Sequence, residues 1–130
     1  MENARNDKIF KKLNKKIESL SKENDFYGMG VVYYEMAHLV MEEGGDPQMY
    51  IDLGYKMKLK PKIDELKSYQ ISGIIDEVEC LVNIGSCSVC KKLKGEKLRL
   101  SDELSSPAIP VKHCENRYDG CRCTYIPIIE

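Results

Sequence analysis

Five of the six cysteines in this 130-residue chain fall within one 37-residue window: Cys87, Cys90, Cys114, Cys121 and Cys123. They read C-x2-C, a gap of 23 residues, Cys114, six more residues, then C-x-C. Two close pairs and a fifth cysteine present enough thiolates to surround one tetrahedral ion. A soft, thiolate-rich, non-redox structural site suits Zn2+. The spacing therefore predicts a small metal-stapled module in the last third of the chain.

The compartment bears on that reading, because oxidising surroundings would turn the same cysteines into disulfides. No run of about 18 apolar residues is present, so no span of a membrane is expected. The segment Met1-Glu2-Asn3-Ala4-Arg5 leads into lysines without an apolar core, unlike a secretory signal. A cytoplasmic location follows, where clustered cysteines are read as metal ligands. Charge is uneven. Residues 1–24 carry seven Lys/Arg against four Asp/Glu, residues 25–84 five against eleven, and residues 85–130 eight against six. The acidic middle argues against nucleic-acid binding over the whole surface and leaves only the basic ends for it.

Residues 1–84 read as a helical bundle. Ile9, Phe10, Leu13, Ile17 and Leu20 recur three and four apart between Asp7 and Leu20, with lysines around them. Such a narrow stripe requires a partner face, on this chain or on another copy. Asp25 can cap the next helix. Phe26, Met29, Tyr33, Met36 and Val40 form one apolar stripe there; Tyr27, Val31, Tyr34, His38 and Met41 form a second. A helix apolar on two faces belongs at the centre of a bundle. Gly44-Gly45 ends it.

Asp46-Pro47 signals a third helix, with Asp46 as N-cap and Pro47 at the first helical position. Met49, Leu53 and Met57 line one face, and Pro61 is expected to break or restart the helix. Ile63, Leu66, Ile71, Ile74, Ile75, Val78, Leu81 and Val82 carry the helical pattern on to Gly85, with Gly73 as a weak point. Paired helices invite comparison with a tetratricopeptide repeat, which Phe26, Met29, Gly30 and Tyr33 open. The small residue due nine positions after the Tyr is instead Glu42, so a plain bundle is the better description.

From Gly85 the periodicity stops and residues 85–130 form the second unit. Lys97-Leu98-Arg99-Leu100 and Thr124-Tyr125-Ile126 read as short strands, and Pro107, Pro110 and Pro127 mark extended or turning backbone. A segment this short with few large apolar side chains builds little core. A metal would supply the missing folding free energy. The fold class is thus mainly α, a helical bundle followed by a small zinc-stapled module with short β-strands.

Four ligands suffice, and this stretch offers more. Cys87, Cys90 and Cys114 with Cys121 or Cys123 are the favoured set. Cys121 and Cys123 point the same way in an extended chain, whereas the neighbours His113 and Cys114 diverge. His113 is a reserve ligand. A Cys-rich set with ligands to spare fits structural zinc rather than an open catalytic site.

At these residues the chain resembles the C-terminal segment of phage Mu-type minor head morphogenesis proteins. The shared features are Cys87-x2-Cys90, Leu93-Lys94-Gly95, the Pro107-x2-Pro110 approach, His113-Cys114 and Cys121-Arg122-Cys123-Thr124, spanning about 40 of 130 residues. Small uncharacterised bacterial and archaeal proteins carry a similar segment. The spacer Glu115–Gly120 is longer here than in the family, so Cys114 stands where the family has its His. The resemblance implies a zinc-stabilised segment. It does not extend to head assembly, since the long N-terminal portion of those proteins has no counterpart in these residues.

The other chemistry-bearing residues read as structural. Cys80 lies apart from the cluster, beside Leu81, as a core thiol. His38 sits on an apolar stripe as a hydrogen-bonded histidine. Glu42-Glu43 and the Asp76-Glu77-x-Glu79 group read as solvated carboxylates rather than an acid–base pair. Gly28-x-Gly30 lacks the preceding strand of a phosphate loop. No catalytic residue is assigned, and an enzyme is the less favoured class. The function expected is a protein-interaction or oligomerisation module with structural zinc. One alternative is a nucleic-acid-binding zinc module of mobile-element origin, using Lys91, Lys92, Lys94, Lys97 and Arg99. Another is a thiol redox protein in which Cys121 and Cys123 cycle with Cys114.

Overall fold

A computed structural model describes residues 2–82, 88–111 and 123–129. Three helices, α1 (Glu2–Lys22), α2 (Phe26–Glu42) and α3 (Gln48–Ser72), lead into a small sheet. The sheet is built from β1 (Glu77–Leu81), β2 (Lys97–Arg99) and β3 (Thr124–Pro127). Two short helices, α4 (Ser88–Lys92) and α5 (Leu100–Ser105), lie between the strands in sequence. The protein is mainly helical, as its periodicity predicts.

The stripe of α1 finds its partner on this chain. Ile9, Phe10, Leu13, Ile17 and Leu20 are all half-buried on a helix that packs against α2. The ring of Phe10 meets that of Tyr50 at 5.9 Å between centroids. The two-faced α2 takes the central position, touching both α1 and α3. Asp25 caps it as expected, its Oδ1 accepting the Gly28 N–H at 2.9 Å. Beyond Glu42 the chain turns through Gly44 at φ 80°, where a side chain would be strained.

The α2–α3 crossing is close because two glycines face it. A Cβ on Gly30 would lie 3.0 Å from the Gly54 carbonyl oxygen, and one on Gly54 would lie 2.7 Å from the Tyr34 ring. Lys58 of α3 fills the remaining space and is almost fully buried. Its Nζ lies 4.9 Å from the Tyr27 ring centre and 5.4 Å from that of Tyr34. A cation leaving water is compensated in part by such ring faces.

Three expectations for the third helix fail. Pro47 is the N-cap and Gln48 the first helical residue, although Asp46 Oδ1 still accepts the Gln48 N–H at 3.0 Å. Pro61 does not break the helix, because α3 runs unbroken from Gln48 to Ser72. Proline within a helix costs about 3 kcal/mol. The turns on either side are held by packing, Gly54 and Lys58 against α2 and Leu66 in the sheet core. The helix also stops well before Gly85. Gly73 adopts φ 74° and caps it, its N–H donating to the Gln70 carbonyl. Residues 77–81 are a strand, with Val78 and Cys80 inward and Glu77 and Glu79 toward the surface.

That strand is the centre of the sheet. The order is β2-β1-β3, antiparallel throughout. Glu77 stands opposite Arg99, and Glu79 opposite Lys97. Cys80 stands opposite Tyr125, and Val78 opposite Pro127. Pro127 fits because β3 is an edge strand, where a missing N–H is tolerated. Leu66 of α3 joins Ile75, Val78, Cys80, Cys90, Leu100, Ile109, Cys123 and Tyr125 in one apolar cluster. Lys62 Nζ also reaches Thr124 Oγ1 at 2.8 Å. The second half of α3 and the sheet therefore share a core.

Candidate metal centre

Three cysteines can be placed. Cys80 points inward from β1, Cys90 lies in α4, and Cys123 directly precedes β3. All three are buried in the cluster beneath the sheet. Cys87, Cys114 and Cys121, with the reserve ligand His113, lie outside the described residues.

Local structure explains the placement of each. After Cys90 the chain turns back, with the Leu93 N–H donating to the Cys90 carbonyl at 3.0 Å. This turn brings Lys94 into a parallel bridge with Cys80. Cys123 is two residues before Tyr125, so β alternation gives both the same inward face. The segments carrying Cys90 and Cys123 thus reach one core from positions 33 residues apart. Each carries another cysteine nearby in sequence, Cys87 and Cys121.

Among the described residues, no three His, Cys, Asp or Glu side chains are arranged to hold a metal. Cys80, Cys90 and Cys123 therefore do not form a three-thiolate site by themselves. Their burial fits small apolar side chains as well as ligands. A four-ligand site that included Cys90 and Cys123 would need ligands from outside the described residues.

The basic patch after Cys90 is exposed, at Lys91, Lys92, Lys94, Lys97 and Arg99. The register offsets part of it, because Glu79 faces Lys97 and Glu77 faces Arg99 across the β1–β2 pair. Opposite charges at facing positions attract and reduce the field presented to a phosphate backbone. His38 behaves as expected, half-buried with Nε2 3.0 Å from Glu42 Oε1.

Two features escape a reading of the residues alone. One is the buried group around Tyr125 and Glu103. The other is a cleft of about 560 Å³ at the start of β1, lined by residues including Gln70, Gly73, Asp76, Arg99 and Leu104. The cleft is made by the stop at Gly73 and the β2–α5 junction, which come together only through the sheet. Asp76-Glu77 was the available signal. No helix among the described residues is long and apolar enough to cross a membrane.

No family profile, curated protein or solved structure matches the chain. The likeness to the phage morphogenesis segment rests on the cysteine pattern and its neighbouring residues alone.

Proposed function

We propose that the protein is a protein-binding module whose C-terminal part is stapled by structural zinc. Cys87, Cys90 and Cys114 hold the ion, with Cys121 or Cys123 as the fourth ligand. The observation that carries this reading is the burial of Cys90 and Cys123 in one cluster, from segments distant in sequence. The presence of Cys123 in that cluster favours it as the fourth ligand. Strands of three to five residues supply little cohesion of their own, and a metal would add folding free energy. Zinc here organises backbone rather than reacting.

Metal content and thiol reactivity of the freshly purified protein test the proposal. About one zinc per chain is expected, with thiols that react only after chelation or denaturation. Metal-free protein with paired cysteines would overturn it.

A further inference from the structure

We propose that the end of the sheet formed by Ile74–Glu77 and Ile128–Ile129 docks a segment of a protein partner. The segment presents an aliphatic side chain flanked by lysine or arginine. This inference rests on the reading of the chain as a binding module and does not depend on its zinc.

Two adjoining clefts meet at this end. The larger, about 560 Å³, lies between the end of α3 and the β2–α5 junction. The smaller, about 120 Å³, is lined by Ile74, Asp76, Glu77 and Ile128. Asp76 and Glu77 line both. Ile74 lines the smaller cleft and is 73% exposed, and Ile71 and Ile129, each next in sequence to a lining residue, are 85% and 73% exposed. Single exposed apolar residues are ordinary, but several beside a cleft mark an interaction surface.

Charge selects the partner. Among the described residues, neither Asp76 nor Glu77 is engaged in a salt bridge. Among the described residues, the only basic side chain lining the larger cleft is Arg99, and none lines the smaller. Two carboxylates against one guanidinium favour a cationic flank and repel phosphate. A second copy of this chain is disfavoured by the same argument. An isologous contact centred on Asp76 and Glu77 would bring those carboxylates close to their own counterparts.

Panning a phage-displayed random peptide library on the full chain as purified tests the inference. Variants Ile74→Glu and Asp76→Lys serve as counter-screens, with thermal unfolding reporting that each still folds. Both positions are exposed, so their melting temperatures should match that of the parent. The expected result is a consensus of an aliphatic residue beside lysine or arginine. Affinity should fall about tenfold or more in each variant. Peptides that bind both variants as tightly as the parent would overturn this surface and leave the binding-module reading intact. No enrichment at all would overturn both. A dimer in sedimentation experiments that Ile74→Glu dissociates would overturn the partner chemistry by making the occupant a second copy.

Discussion

The hydroxyl of Tyr125 donates to Oε1 of Glu103 across 2.7 Å, inside the core that joins the sheet to α3. The same Oε1 accepts the Ala108 N–H at 2.9 Å. The Tyr125 oxygen accepts from Ala108 and Ile109 N–H at 3.1 and 3.3 Å. One phenol thus satisfies a buried carboxylate and ties the segment after α5 to β3. Tyr125→Phe keeps the ring and removes the oxygen. Leaving such partners unsatisfied costs about 1–3 kcal/mol. A urea titration should show that loss with an unchanged m-value, and an unchanged midpoint would refute the role given to the hydroxyl.

Tyrosine ionisation gives the fold an alkaline limit. Burial, and then the hydrogen bond to Glu65, push the Tyr69 hydroxyl up to about 12 from its ordinary 10.0. Burial and Glu103 push Tyr125 up as well. A raised folded-state pKa means the native protein holds the proton longer than the unfolded chain. The associated stability is fully present below about pH 10 and is lost as pH rises toward the folded-state values. Stability measured at rising pH should therefore be level up to about pH 9 and fall beyond about pH 10. Tyr69→Phe and Tyr125→Phe should each shallow the fall, and an equally steep decline in both would exclude these tyrosines as its source.

Gly30 and Gly54 set how closely α2 and α3 approach. Alanine improves helix propensity by up to about 1 kcal/mol over glycine. At Gly54 the new Cβ would stand 2.7 and 2.8 Å from two carbons of the buried Tyr34 ring. At Gly30 it would meet Lys58 Cγ at 2.5 Å and the Gly54 carbonyl at 3.0 Å. Overpacking of this kind costs about 1–3 kcal/mol, so sterics outweigh propensity. Both alanine variants should unfold at lower denaturant concentration than the parent. A gain in stability would mean that the helices separate without penalty.

The helical part was largely legible because its information is local. The caps at Asp25 and Gly44-Gly45 and the 3–4 spacing on α1 and α2 lie within a few residues of what they determine. Pro61 misled because its cost is local, whereas α3 is held through it by contacts that its own Lys58 and Leu66 make with other elements, α2 and the core beneath the sheet. The strand at Glu77–Leu81 was hidden for a related reason. Ile71, Ile74, Ile75 and Val78 imitate helical spacing, while the alternation of Val78, Cys80 and Val82 with Glu77, Glu79 and Leu81 gains meaning only once β2 and β3 pair with it. Of the candidate site, the inward places of Cys90 and Cys123 are described, and Cys87, Cys114 and Cys121 lie outside the described residues. The Tyr125–Glu103 pair joins positions 22 residues apart and has no local signature.

The three cysteines among the described residues, all buried, should separate by role. Cys90→Ser and Cys123→Ser remove proposed zinc ligands, so purified protein should carry much less than one zinc per chain. Cys80→Ala should keep its zinc, because Cys80 lies outside the proposed ligand set. Its cost is limited to packing beneath the sheet, where Cys80 stands opposite Tyr125. Elemental analysis and thermal unfolding of the three variants read both effects. Loss of zinc in Cys80→Ala with retention in the other two would reverse the assignment.

Strand register bears on nucleic-acid binding. Lys97 and Arg99 would dominate a basic edge if they stood alone, yet Glu79 and Glu77 face them in the adjacent strand. Facing opposite charges attract modestly, by about 0.2–1 kcal/mol, and cancel much of each other's field at a distance. Phosphate binding depends on that distant field and on counterion release. The parent protein should therefore show little salt-dependent affinity for DNA or RNA, even at about 50 mM salt. Glu77→Gln with Glu79→Gln removes both carboxylates, and should uncover weak binding that disappears as salt is raised. Tight, salt-sensitive binding by the parent would show that Lys91, Lys92 and Lys94 suffice without the strand residues, and would move the nucleic-acid reading ahead of the protein-binding one.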